Sequence, residues 1–185
     1  MVPLSWLADH VEVPEGTDAT ALAAALVKVG LEEETIHPAK VQGPLVVGKV
    51  LSLVKETASN GKTVNYCRVD VGEFNDAPGT GKEPSELESR GIICGAHNFV
   101  EGDLVVVSLP GAELPGDFQI AARKTYGHIS DGMICSAREL GLGEDHDGII
   151  VLKKMFADRE IPAPGTDIIG FLGLGEEVLE INVTP

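Results

Sequence analysis

The groups in this chain best suited to chemistry near neutral pH are its five histidines and three cysteines. His10, His37, His97, His128 and His146 lie scattered, and none adjoins a serine or cysteine as the base of a nucleophile pair would. Residues far apart in sequence can meet in space, but nothing here gives catalysis positive support. Cys67, Cys94 and Cys135 are odd in number, widely spaced and never C-x-x-C. They read as small buried thiols in a reducing cytoplasm, not as a disulfide framework or a redox motif. Glu144, Asp145, His146 and Asp147 cluster as divalent-metal ligands could, yet they lack the alternating carboxylates and the distal bidentate Glu of an EF-hand. A turn in which Asp side chains bond their own backbone explains them better. Gly79-Thr80-Gly81-Lys82 fails the phosphate-loop pattern, because Asp76 stands where that loop needs Gly and Glu83 where it needs Ser or Thr. The run G-F-L-G-L-G at 170–175 is not G-x-G-x-x-G and follows a helical segment, not a strand. No catalytic residue and no metal site is expected.

Binding chemistry offers more. Lys49, Lys62, Tyr66, Arg68, Arg123, Lys124 and Tyr126 fall on expected strands or strand ends, where basic and aromatic side chains can form a strip for nucleic acid. The charge opposes this. Fourteen Lys and Arg against twenty-nine Asp and Glu give −15 for the chain. Residues 41–150 carry nine against sixteen, a net −7. A chain of that sign does not hold phosphates by overall charge, so contact must be local or helped by other parts of a larger assembly. On composition alone, a solvated strand face is the preferred reading of the strip.

The elements that would position these residues follow from periodicity. A length of 185 residues and a hydrophobic fraction of 43% suit one large or two small globular domains. No apolar run approaches the roughly 20 residues of a membrane span, and the first residues lack the features of a signal peptide, so a cytoplasmic protein without membrane association is expected. Leu4, Leu7 and Val11 have helical spacing; Pro14 and Gly16 break it. Thr17 or Asp18 can cap a helix over 19–29, with Gly30 at the position of a C-terminal glycine. Residues 31–37 read as a strand. Strands are then expected at 45–55, 64–71, 91–96, 104–109, 118–125 and 129–135, with a polar surface loop over 73–89. Short strands between glycine and proline turns indicate a small barrel or sandwich. Ser136 and Glu139 have the spacing of a capping box, and Gly141 and Gly143 can supply the positive φ that leaves the turn. An apolar run at 149–152, a short helical segment to residue 172 and an alternating strand at 178–183 complete the chain. Pairing that last strand with 31–37 would close a small α+β domain, with the barrel inserted in it.

Several segments carry a family resemblance. I-I-C-G-A-H-N-F-V-E-G-D-L-V at 92–105, P-G at 115–116, S-D-G-M-I-C-S-A-R-E-L-G-L-G-E-D-H-D-G-I at 130–149 and V-L-E-I-N-V-T-P at 178–185 closely resemble the N-terminal part of the bacterial phenylalanyl-tRNA synthetase beta subunit. The opening P-L-S-W-L and V-G-L-E-E-E at 29–34 do so too. The resemblance implies an α+β fold in which residues 41–150 form an OB-fold barrel of the EMAP II-like tRNA-binding kind. Residues 1–40 and 151–185 would join as one discontinuous domain. It further implies a fragment without catalytic residues, metal or cofactor of its own. The parent enzyme would join phenylalanine to tRNA(Phe) with ATP and magnesium, in a heterotetramer of two alpha and two beta chains whose alpha subunit holds the aminoacylation site. Carried over residue by residue, the tRNA-binding pattern falls on Asn98, Ser130, Gly132 and Met133, with Lys124 the nearest basic neighbour. Where many relatives carry an H-P-N-A-D-K-L-like run after the first barrel strand, this chain has K-E-T-A-S-N-G-K-T-V-N-Y, and its 73–89 loop is longer than usual. The alternative is an interaction scaffold within the same synthetase that touches RNA little.

Overall fold

The computed structural model describes residues 2–57, 60–75, 88–144 and 147–182. The chain divides into two compact units, Met1–Lys40 with Gly173–Pro185, and Val41–Leu172. In the first unit, a two-residue strand β1 (Val2–Pro3) leads into α1 (Leu4–Ala8) and α2 (Ala19–Lys28), followed by β2 (Glu32–His37). The first helix stops short of the expected 4–11: His10 and Val11 both donate to Leu7 O and end it in a turn ahead of Pro14. Of the two candidate caps for α2, Asp18 takes the role, its Oδ1 accepting from Ala21 N at 2.7 Å, a bond worth about 1 kcal/mol to a helix. Gly30 closes the other end, with Gly30 N on Val27 O and Leu31 N on Leu26 O.

The larger unit is built on a sheet of five strands: β3 (Leu45–Thr57), β4 (Thr63–Asp70), β5 (Arg90–Cys94), β6 (Leu104–Ser108) and, after four further strand pieces, β11 (Met133–Ile134). Their spatial order is β11-β6-β3-β4-β5, every neighbour antiparallel. Asp131 N donates to Gly91 O at 2.8 Å, bringing the chain just before β11 against β5 and nearly closing the barrel. Inward side chains of β3, β4, β5 and β6 (Val46, Val50, Cys67, Val69, Ile92, Val105 and Val107 among them) fill its core. Burial of such branched side chains at roughly 25 cal/mol per Å² is the main force holding the barrel together.

The pieces between β6 and β11 are β7 (Glu113–Leu114), β8 (Phe118–Gln119), β9 (Arg123–Thr125) and β10 (His128–Ser130). The single strand expected at 118–125 is therefore broken. Ile120 bonds back to Ala112 and Gly111, pinning β8 against β7 and freeing the chain to start again as β9. The strand expected at 129–135 is likewise split, by Gly132 at φ +136°. Of the 73–89 loop, Gly72–Phe74 forms one 3-10 turn; residues 76–87, with Gly79-Thr80-Gly81-Lys82, lie outside the described residues, as do Asp145 and His146 of the acidic cluster.

Residues 151–172 pack with the barrel, where sequence reasoning assigned them to the smaller domain. Val151 bridges Val105, and Val46 bridges Asp167. Gly165 N donates to Val47 O, Val47 N to Thr166 O, and Ile168 N to Leu45 O. With these backbone groups committed to β3, the helical segment expected up to residue 172 does not form; turns take its place. The apolar run at 149–152 gives one bridge and then a single helical turn, α3 (Leu152–Met155). Phe156 and Phe171 meet edge to face at 5.0 Å, and the Arg159 guanidinium lies 3.8 Å from the centroid of Phe171, pinning this segment to itself.

The last strand, β12 (Val178–Asn182), returns to the first unit and pairs antiparallel with both β2 and β1. Leu179 packs against Ala19 and Ala23 of α2, with Leu4, Leu22, Leu26 and Ile36 around them.

Candidate nucleic-acid interface

Strands β9 and β10 form a hairpin whose turn, Tyr126-Gly127, has positive φ at both residues (48° and 88°). That is the type I′ geometry that matches strand twist. The register pairs Arg123 with Ser130, Lys124 with Ile129 and Thr125 with His128. Because side chains alternate along a strand, Lys124 and Ile129 share one face and Arg123, Thr125, His128 and Ser130 the other. Lys124 and Ile129 are exposed. The second face is turned to the barrel. His128 stacks on Tyr66 of β4 at 3.9 Å, with 13° between the planes, and its Nε2 lies 3.0 Å from both carboxylate oxygens of Glu56 on β3. Arg68 donates to the Tyr66 hydroxyl (3.2 Å), to Ser89 Oγ (2.9 Å) and to Ser89 O (2.8 Å). The outer face of the barrel therefore carries a stacked aromatic pair flanked by a guanidinium.

Ser130 builds the joint between hairpin and barrel. Its Oγ accepts from Ile93 N at 3.1 Å and donates to Gly132 O at 3.1 Å. Next to it, Arg90 ion-pairs with Asp131. Gly132 is buried at φ +136°, and a Cβ there would stand 2.9 Å from Ser108 O. Only glycine fits both the dihedral and the space. Met133 then enters β11 opposite Ser108, half-buried. Ser130, Gly132 and Met133 line one groove of about 200 Å³ with Ile93, Phe118 and Arg123.

Asn98 stands apart from this groove. Its amide accepts from Ile149 N (3.0 Å) and donates to Ile149 O (2.8 Å), as a strand residue would, while Lys154 Nζ donates to Asn98 O at 2.9 Å. A Cβ on Gly148 would strike the Asn98 side chain at 2.4 Å, so the clamp depends on that glycine. Asn98 fixes the exit of the Ser136–Gly148 corner. The corner itself has the expected capping box: Ser136 N donates to Glu139 Oε2 at 2.7 Å, and Glu139 N to Ser136 Oγ at 3.3 Å. Gly141 (φ +67°) leaves it, with Gly141 N on Arg138 O and Leu142 N on Ala137 O; Gly143 is not among the positive-φ glycines.

The three thiols contribute no nucleophile. Burial pushes Cys67 and Cys135 up to about 12 and Cys94 to about 11, so all three stay protonated near neutral pH. Among the described residues, no group of three His, Cys, Asp or Glu side chains could hold a metal ion, and no helix is long and apolar enough to cross a membrane.

Comparison with known proteins bears on the barrel as a whole. Residues 45–158, spanning the barrel, match the family described as "Putative tRNA binding domain". The chain belongs to this tRNA-binding family. Along its whole length it is also similar to phenylalanine–tRNA ligase beta subunits. Identity is 54% over 189 residues with that of Bifidobacterium longum, 52% over 189 with that of Leifsonia xyli subsp. xyli and 55% over 186 with that of Thermobifida fusca. These alignments cover 100% of this chain and 21–22% of the relatives, so the chain spans about a fifth of their length. The OB-type barrel expected from the resemblance is the fold observed.

In this tRNA-binding barrel, three of the residues singled out from the sequence, Ser130, Gly132 and Met133, come together in one groove, and Lys124 lies on the same hairpin. Asn98 is elsewhere. Sequence reasoning did not place Phe118 on the groove or His128 against Tyr66. Phe118 follows the Gly116-Asp117 turn, and His128 sits two residues after Tyr126 in the hairpin. The alternation of Arg123, Thr125, His128 and Ser130 about a two-residue turn was the signal available for the second.

Proposed function

We propose that this chain is the tRNA-binding and structural module of a phenylalanine–tRNA ligase beta subunit, supporting attachment of phenylalanine to tRNA(Phe). One observation carries the reading: the tRNA-binding family match covers the unit whose β9–β10 hairpin offers Lys124 and Arg123 beside the Ser130–Met133 groove. Lys124 supplies a phosphate contact and Met133 an apolar one. Ser130, Gly132 and Asn98 act by holding backbone in place, since their polar groups and space are already taken within the barrel. The two chain ends form a small domain that carries the barrel as an insertion. The parent enzyme is cytoplasmic and assembles two alpha with two beta chains. ATP and magnesium belong to its other parts, and no step here runs through them.

The test is a titration of this chain with tRNA(Phe) at about 0.1 M salt and above, where charges more than about 10 Å apart are screened. The affinity should be saturable, and log K should fall with log salt by roughly 0.7–0.9 per phosphate contact. Lys124→Ala should weaken binding and reduce the slope by about one contact. Absence of saturable binding at about 0.1 M salt would favour an interaction scaffold instead.

A further inference from the structure

The groove beside Met133 differs in charge from three other cavities lined by described residues of the barrel unit. It is lined by the apolar Phe118, Ile120 and Ile93, by Arg123 and Thr125 of the hairpin and by Met133 of β11, and no carboxylate lines it. Three other cavities each pair a basic with an acidic side chain: Lys154 with Asp147, Lys55 with Glu101, and Arg138 with Glu139. On a chain of net −15, this groove, with one guanidinium and no opposing acid on its lining, stands in contrast to those three. The two carboxylates nearest in sequence are not on its lining. Asp131 is ion-paired with Arg90, and Asp117 lies in the turn before Phe118.

The walls suit a flat, uncharged ring. Phe118 is 44% exposed, an aromatic left open to solvent, whereas Ile120, also on the lining, is buried and anchored by backbone bonds to Gly111 and Ala112. Its volume of about 200 Å³ is small, so the groove takes one ring system and not a helix or a loop. Aromatic and thioether walls offer a stacking and dispersion surface to any base, and Arg123 at the edge can meet the phosphate joined to it.

From this we infer that the groove is a receptor for a single unpaired nucleobase, with Phe118 as the stacking wall, Met133 as a second apolar contact and Arg123 on the adjoining phosphate. The inference rests on the tRNA-binding reading and deepens it. Base-paired segments do not enter, because their faces are already stacked. The barrel thereby selects a looped-out or terminal nucleotide and reads it by its π-face, with little dependence on which base it is.

The experiment uses the whole chain and two fluorescently labelled probes at about 0.1 M salt: a short oligoadenylate, and an abasic ribose-phosphate strand of equal length. Oligoadenylate should bind more tightly than the abasic strand. Phe118→Ala should weaken oligoadenylate by about 5- to 150-fold, the range for one base–aromatic stack, and leave the abasic strand unchanged. Phe118→Trp should retain binding, which separates stacking from misfolding. Arg123→Gln should weaken both probes alike. Equal affinity for the two probes, or oligoadenylate binding indifferent to Phe118→Ala, would overturn the inference. tRNA(Phe) binding that persists while oligoadenylate is indifferent to Phe118 removes the nucleobase receptor alone. Phe118-dependent oligoadenylate binding without saturable tRNA binding removes the module reading alone.

Discussion

At the scale of single residues, the barrel unit is held together by groups whose partners are far away in sequence. Ser130 is bonded to Ile93, 37 positions earlier, and Asn98 to Ile149, 51 positions later. No spacing rule reaches that far, so the sequence could offer these residues as parts of a family pattern without disclosing that they are joints. Local relations were open to reading. The three-residue separation of Ser136 and Glu139, the cap at Asp18 and the glycine at 30 all act within one turn, and each has the geometry its spacing implies. Gly132 permits a direct test. Alanine there must adopt φ near +136° with its Cβ 2.9 Å from a backbone oxygen, a cost of roughly 1–3 kcal/mol for the dihedral alone. A urea titration should show the midpoint of Gly132→Ala falling accordingly, and an unchanged midpoint would mean that the joint between hairpin and barrel relaxes freely.

The elements show where periodicity succeeds and where packing overrides it. The strand over 63–70 was legible because apolar residues alternate along it, and those over 45–57, 90–94 and 104–108 because runs of Val, Leu and Ile stand between turn residues. The segment 167–172 has helical character by composition, yet its first amides are taken by β3, and tertiary bonds prevail over propensity. The core strands also carry the thiols, which gives a pH test. The ordinary thiol value is 9.0, and the folded protein raises it to about 11 for Cys94 and about 12 for Cys67 and Cys135, chiefly through burial. The folded state therefore binds these protons more tightly. Their contribution to stability is complete below pH 9 and is lost as pH rises towards 11–12. Alkylation by iodoacetamide should accelerate through about pH 9 in urea, while native protein resists until near pH 11. Native labelling at pH 9 that matches the rate in urea would show the thiols to be accessible.

For the molecule as a whole, charge and site are in opposition. A chain of −15 repels a polyanion at long range, and on the proposed reading attracts it only within reach of the hairpin cations. At about 0.01 M salt the screening length is about 30 Å, and repulsion from the entire surface is felt; at about 0.1 M it shrinks to about 10 Å and local contacts dominate. The association rate for tRNA should hence rise with salt over this range, opposite to the behaviour of a basic RNA binder. Stopped-flow mixing at two salt concentrations would decide it, with a falling rate counting against a purely local contact.

The ribbon from Gly165 to Ile168 has one more effect. Between Leu45 and Val47, β3 has β6 on one side and only this ribbon on the other, for β4 joins from Lys49 onward. Without it, a row of unpaired amides and carbonyls beside Leu45, Val46 and Val47 would face solvent, a template for edge-to-edge sheet extension. A piece spanning 41–150 should accordingly self-associate and scatter light at concentrations where 41–172 remains monomeric in size-exclusion chromatography. The ribbon is a selvedge, and it keeps one barrel from being woven into the next.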